Sequence, residues 1–334
     1  MNDYIPQLPQ EQEELPLARD LRQERRQLSI LALAVTYIFA AVLVLQLLAV
    51  LCIELFAPHW MSADWYVMVV SNTCMYLAMP TSLFLFRMAP KQAPAQTHRI
   101  GFWAFCGLIA LCFSISLLGN LAGNFVNEII SSFTGKEPTN ELTELTLSSP
   151  FWATLLYCGI LAPIMEEIFY RKLVIDRLRR YGDLPAILIS GVTFGLIHGN
   201  FNQFFYAAAI GLLFGYVYLY TGKLRYTVAL HAIFNLISGV GVSELLKHLD
   251  LAALETLGVE AILNNPIPFL LLIGYYLFLG LCFVCAPIAI ALLWKYVRFE
   301  KAAQPLTARQ WASVTLKNPG VWVLAAMLVF LFVS

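Results

Sequence analysis

Apolar residues run almost unbroken through long stretches of this chain, and polar residues gather in the gaps between them. The stretches cover roughly 29–53, 64–87, 100–126, 150–170, 184–199, 203–221, 226–243 and 268–294. A helix that crosses a bilayer needs about 20 mostly apolar residues, so the pattern predicts about eight spans. A ninth apolar run, 321–334, is short for a span and reads either as a further helix or as an interfacial one. The predicted fold is therefore all-α, a polytopic transmembrane helical bundle of about eight spans plus a short C-terminal hydrophobic helix.

Composition agrees with the pattern. Of 334 residues, 60% are hydrophobic and only 13% charged, where a soluble domain would be near a quarter charged. The formal net charge is zero, which offers nothing to nucleic acid and leaves membrane lipid as the expected surroundings. Four segments follow: a polar N-terminal tail over 1–28, helices over 29–149, a core over 150–243 and further helices over 244–334. The apolar run after the tail lacks a small-residue cleavage site and reads as an anchor, not a signal peptide.

The distribution of Lys and Arg orients the spans. Arg19, Arg22, Arg25 and Arg26 precede the first one, and Arg87, Lys91 and Arg99 flank the second turn. Arg171, Lys172, Arg177, Arg179 and Arg180 return to the same side, as do Lys223 with Arg225 and Lys295 with Arg298 and Lys301. The intervening loops are poor in cations, and 127–149 carries Glu128, Glu137, Glu141 and Glu144 against Lys136. The N-terminus is thus expected in the cytoplasm. Gly119 with Gly123, and Gly211 with Gly215, have spacings that let helices approach closely. The seven cysteines sit in apolar stretches and read as packing, including the Cys282 and Cys285 pair.

Ionisable residues inside such spans are costly and usually face a cavity or a partner. Glu166, Glu167 and Arg171 occur in LAPIMEEIFYRKL, His198 follows Phe194 in FGLIHGN, and His231 precedes Asn235 in LHAIFNL. Adjacent helical residues point about 100° apart, so Glu167 is placed to pair with Arg171 at i,i+4 while Glu166 faces elsewhere and could act as a base toward water. Charges at the interfacial end of a span are the competing reading of these three, and plain packing is the competing reading of His198. Taken together the residues supply a base, two imidazoles and an amide donor, an inventory suited to peptide hydrolysis. By these span limits, however, Glu166 and His231 lie near the cytoplasmic side, whereas His198 stands about 18–21 Å along its helix from that side at 1.5 Å per residue.

Glu-Glu-x-x-x-Arg at 166–171, Phe-x-x-x-His at 194–198 and His-x-x-x-Asn at 231–235, in this order, resemble the CPBP family of intramembrane proteases. That family takes in CAAX-processing enzymes of the Rce1 type and bacterial bacteriocin-processing and self-immunity relatives, also called Abi proteins. The resemblance covers roughly residues 150–240. It implies a cavity opening toward the cytoplasm and an endopeptidase that cuts a membrane-associated protein or peptide near that face. Carried over by motif position, Glu166 would activate the attacking water and Glu167 would pair with Arg171 to shape the site. His198 would position the water or ligate a metal, and His231 with Asn235 would stabilise the oxyanion. A divalent metal such as zinc on His198, His231 and Glu166 and a metal-free glutamate mechanism are both open at this point, since HExxH is absent. A non-catalytic bacteriocin self-immunity or scaffold protein, and an ion- or proton-coupled transporter, are the alternatives. The terminal LFVS is not itself a CaaX box, and the host membrane is expected to be a bacterial plasma membrane on family grounds.

Overall fold

A computed structural model describes residues 20–92, 94, 97–135, 141–250, 254, 256 and 258–333. The readings made on Arg19, Lys136 and Glu137, and on most of the polar tail, fall outside those residues. Among the described residues eleven helices of eight or more residues organise the fold: α1 (Leu21–Phe56), α2 (Tyr66–Arg87), α3 (Phe102–Thr134), α4 (Glu141–Ser148), α5 (Phe151–Tyr181), α6 (Asp183–Leu196), α7 (Phe201–Thr221), α8 (Leu224–Lys247), α9 (Pro266–Tyr296), α10 (Ala308–Leu316) and α11 (Pro319–Val333). Seven of these are long and apolar enough to cross a membrane, or eight if α10 and α11, bent by 71° at their junction, count as one broken span. The chain is a multi-pass integral membrane protein. Its outward faces carry bare aliphatic side chains, for example Leu55 and Leu277, 75% and 70% exposed, which only lipid can cover without cost.

Three boundaries differ from those expected. The first helix begins at Leu21, with the Asp20 carboxylate accepting from the Arg22 amide at 2.9 Å; this N-cap carries the helix through residues assigned to the tail. The fourth helix does not stop at 170 but runs on to Tyr181, because the charges that suggested an end are buried and paired. Arg177 donates to the Phe86 carbonyl at 2.6 Å, Arg179 to Asp183 at 2.9 Å and Arg180 to Glu24 at 2.8 Å. These arginines staple helices to one another and are not a free surface for lipid or substrate. The fifth apolar stretch, expected as a span over 184–199, forms only the short helix α6. It rises from Gly182 and turns back at Gly199, so α6 and α7 go out and return. The direction of every other helix is unchanged.

Small residues hold the interior close. A Cβ on Gly119 would stand 2.5 Å from the Tyr206 Cα, and one on Gly195 would stand 2.7 Å from the Phe204 carbonyl. Thus α3, α6 and α7 meet backbone to backbone, the packing predicted from the glycine spacings. Around them, Phe169, Tyr170, Ile175, Leu178 and Ile187 form one buried cluster with α1 and α2, and Phe113, Phe214, Leu230 and Cys282 form a second with α9. Cys282 and Cys285 are free thiols, as are the other five cysteines.

Candidate active site

The central helix α5 is α-helical only in patches. Two π segments, Leu155–Leu161 and Ile168–Ile175, bracket the short α-turns Ala162–Glu167 that carry the glutamate pair. The cause is visible in the sequence. The Ala162 amide bonds the Tyr157 carbonyl, five residues back, and Pro163 has no N–H to offer. The Cys158 carbonyl is thereby left without its helical donor. Asn235 fills the vacancy, its side-chain amide donating to that oxygen at 2.9 Å. Asn235 itself opens a third π segment, Asn235–Gly241 in α8. The two facing segments approach closely because Gly159 has no side chain; a Cβ there would stand 2.8 Å from Leu236. π segments recur at functional sites because they free backbone groups and re-aim side chains.

Glu167 and Arg171, both 0% exposed, form the buried pair expected at i,i+4. The guanidinium bonds both carboxylate oxygens, at 2.8 and 3.2 Å, and a third donor reaches Ser190 Oγ at 3.3 Å. The rings of Phe194 and Phe214 lie 5.8 and 6.0 Å from the guanidinium carbon. Glu167 also accepts from His231 Nδ1 at 3.2 Å. That bond puts the Nδ1 proton on the Glu167 side and turns Nε2 toward Glu166, 3.8 Å away. Glu166 is the half-buried member of the pair.

His198 sits just past the end of α6. Its Nδ1 is 2.8 Å from the Phe194 carbonyl. A carbonyl only accepts, so Nδ1 carries the proton and Nε2 is left with a free lone pair. The turn behind it is fixed by Gly199 at φ 67°, a left-handed conformation suited to glycine, and by Asn200, which caps α7 by accepting from the Gln203 amide at 2.9 Å. His198 and His231 both pack edge-on against the Phe194 ring, at 5.3 and 5.9 Å between centroids. The tension in depth disappears once α5 reaches Tyr181: Glu166 and His198 are equally far in sequence from Gly182 at the α5–α6 turn, about 24 Å at 1.5 Å per residue.

Glu166, His198, His231 and Asn235 line one cavity of about 410 Å³, and Glu167 and Arg171 support it from behind. All six residues drawn from the sequence are therefore brought together. The sequence reading missed the walls. Asn72 of α2, Asn120 of α3, and Asn202 and Gln203 of α7 make the cavity rich in amides; the signal was an Asn within an apolar run, as in VMVVSNTCMYLAM. From Glu166 the cavity extends toward Thr143 and Thr146 of α4 and Ser238 and Ser243 of α8, at the end of the bundle away from Arg177, Arg179 and Arg180. Among the described residues no three His, Cys, Asp or Glu side chains group closely enough to hold a metal ion. His231 Nδ1 is engaged with Glu167, and His231, His198 and Glu166 do not form such a group, so the donors do not fit a metal centre as they are placed.

Fold and site together define a helical membrane protein with a polar, glutamate-bearing cavity. Residues 148–237, the segment that holds all three motifs, match the family model described as Type II CAAX prenyl endopeptidase Rce1-like. The chain is also 26% identical over 159 residues to a Bacillus subtilis (strain 168) protein named "Putative membrane peptidase YdiL". That alignment takes in 46% of this chain and 63% of the relative, less than two thirds of its length. No solved structure matches.

Proposed function

We propose that the chain is an intramembrane endopeptidase of the CPBP type, hydrolysing a peptide bond of a membrane-associated protein or peptide, in CAAX-type or bacteriocin-type processing. The observation that carries this reading is the division between the two glutamates. Glu167 is spent on Arg171 and His231, while Glu166, whose nearest basic group among the described residues is the His231 ring at 3.8 Å, faces a cavity large enough for water and a peptide strand. Glu166 takes a proton from water, and the oxygen attacks the scissile carbonyl carbon. The tetrahedral oxyanion is met by hydrogen-bond donors, of which Asn235 has one amide hydrogen left beyond its bond to Cys158. Glu166 then returns the proton to the leaving nitrogen as the C–N bond breaks, giving a carboxylic acid and an amine. His198, with its Nε2 lone pair, accepts from the water and holds it; Glu167 and Arg171 are positioning residues that act through His231.

A divalent metal would have to draw on Glu166, His231 and His198, and no step above passes through one. The charge asymmetry supports an N-terminus in the cytoplasm, and the family supports a bacterial plasma membrane. The test compares wild type with Glu166→Gln in proteoliposomes containing a fluorogenic membrane-peptide library. The substitution keeps shape and removes the base. Cleavage should fall by about a hundredfold or more, the scale of general-base loss; equal rates in the two proteins would overturn the reading.

A further inference from the structure

The cavity has a polarity of direction that bears on what can be cut. Its floor is closed. Below Glu166 lie the Glu167–Arg171 pair and the Phe194 and Phe214 rings. Below those, Tyr218 donates to Asp176 at 2.8 Å and Arg177 to the Phe86 carbonyl at 2.6 Å. None of Asp176, Arg177 and Tyr218 lines the cavity. The cavity instead continues upward between α2, α4 and α8, where Thr143 and Ser238 are half-buried and Leu142 is exposed. There α4 crosses the opening, tied by Ser243 donating to Thr146 at 2.9 Å and by Lys247 donating to the Ser149 carbonyl at 2.6 Å.

The two ends of the bundle differ sharply in cations. At the closed end are Arg87 and Arg99, Lys223 and Arg225, and Lys295 and Arg298; at the open end Lys247 is the one Lys or Arg among the described residues. Short loops rich in Lys and Arg stay in the cytoplasm, so the open end faces away from it. We infer that the peptide reaches Glu166 from the extracytoplasmic face, beneath α4, and that the substrates are outer tails or outer halves of membrane segments; of the two kinds of processing proposed above, this keeps the peptide-processing arm and excludes the CAAX-type one, which acts on cytoplasmic C-termini. The amide walls fit such a guest: Asn72, Asn120, Asn202 and Gln203 offer both donors and acceptors to the backbone of an extended strand, and none carries a charge. The inference rests on the hydrolase reading for its substrate, but its geometry is tested without one.

The chain carries its own probe, since Cys158 lines the cavity beside Glu166. Right-side-out and inverted membrane vesicles are treated with a charged methanethiosulfonate that cannot cross the bilayer, and each cysteine is mapped by mass spectrometry. The variant Ser238→Cys, nearer the opening, is mapped in the same way. Modification of Cys158 or Cys at 238 in right-side-out vesicles, with loss of peptide cleavage relative to the same protein untreated, is the expected result. Reaction only in inverted vesicles, reaction of neither thiol from outside, or modification that leaves cleavage intact would each overturn the inference. Failure of the hydrolase reading looks different: Glu166→Gln would then match wild type whichever side the thiols react from.

Discussion

Replacing Arg171 by Met removes the cation from the most deeply buried ion pair of the site while roughly keeping its volume. Arg171 and Glu167 are both 0% exposed, and the guanidinium makes bonds of 2.8 and 3.2 Å to the carboxylate and one of 3.3 Å to Ser190. Deleting one partner of a buried pair costs about 3–5 kcal/mol, because the other charge is left uncompensated. Two charged hydrogen bonds at about 1.5–3 kcal/mol each give the same range. That is a large part of a typical net stability of about 5–15 kcal/mol. Arg171→Met should therefore melt well below wild type in detergent micelles. The double variant Glu167→Gln with Arg171→Met removes both charges, leaves an acceptor for His231, and should recover much of the loss. A loss under about 1 kcal/mol for the single variant, the scale of an exposed pair, would refute the argument. So would strict additivity in the double variant, since contacting residues must couple.

Three further outcomes are expected. Asn235→Asp cannot donate to the Cys158 carbonyl and should cost about 1–3 kcal/mol, the penalty for a buried polar group left unpaired, with cleavage falling alongside; unchanged melting would show that the carbonyl finds another donor. Gly119→Ala drives a methyl against the Tyr206 backbone, so α3 must shift from α7, and a stability loss of about 1–3 kcal/mol is expected by thermal melting. Treatment with phenanthroline should leave cleavage intact, given that the donors do not converge on a metal site; loss restored by added zinc would mean that His198 swings in to join Glu166 and His231.

The chemistry of this chain was more legible in its sequence than its geometry. Glu166, Glu167, Arg171, His198, His231 and Asn235 announce themselves because ionisable and amide groups are rare in apolar runs, and i,i+4 spacing assigned Glu167 to Arg171 correctly. The all-helical membrane fold followed from run length. Depth did not, because Arg177 and Arg179 look like the solvated end of a span and are in fact interior staples; only their partners on distant segments reveal it. Asn235 read as a donor to substrate, yet it first completes the backbone of α5. The π segments were not legible at all, since a periodicity of 3.6 is the only helical signal that side-chain patterning carries.

Those segments have a consequence for how this site can change. A π turn over Leu155–Leu161 holds one residue more than regular winding would accommodate, and one residue is worth about 100° of azimuth. The aim of the Glu166 carboxylate is thus a matter of phase, set upstream by how many residues are threaded through the turn and hardly at all by which they are. Loss of a single one there would leave every functional side chain in the chain and swing the carboxylate off its bearing. For this helix, insertion and deletion are the perturbations with leverage, and a relative with a slightly different length before its glutamates would have to re-clock the helix elsewhere to keep the same bearing.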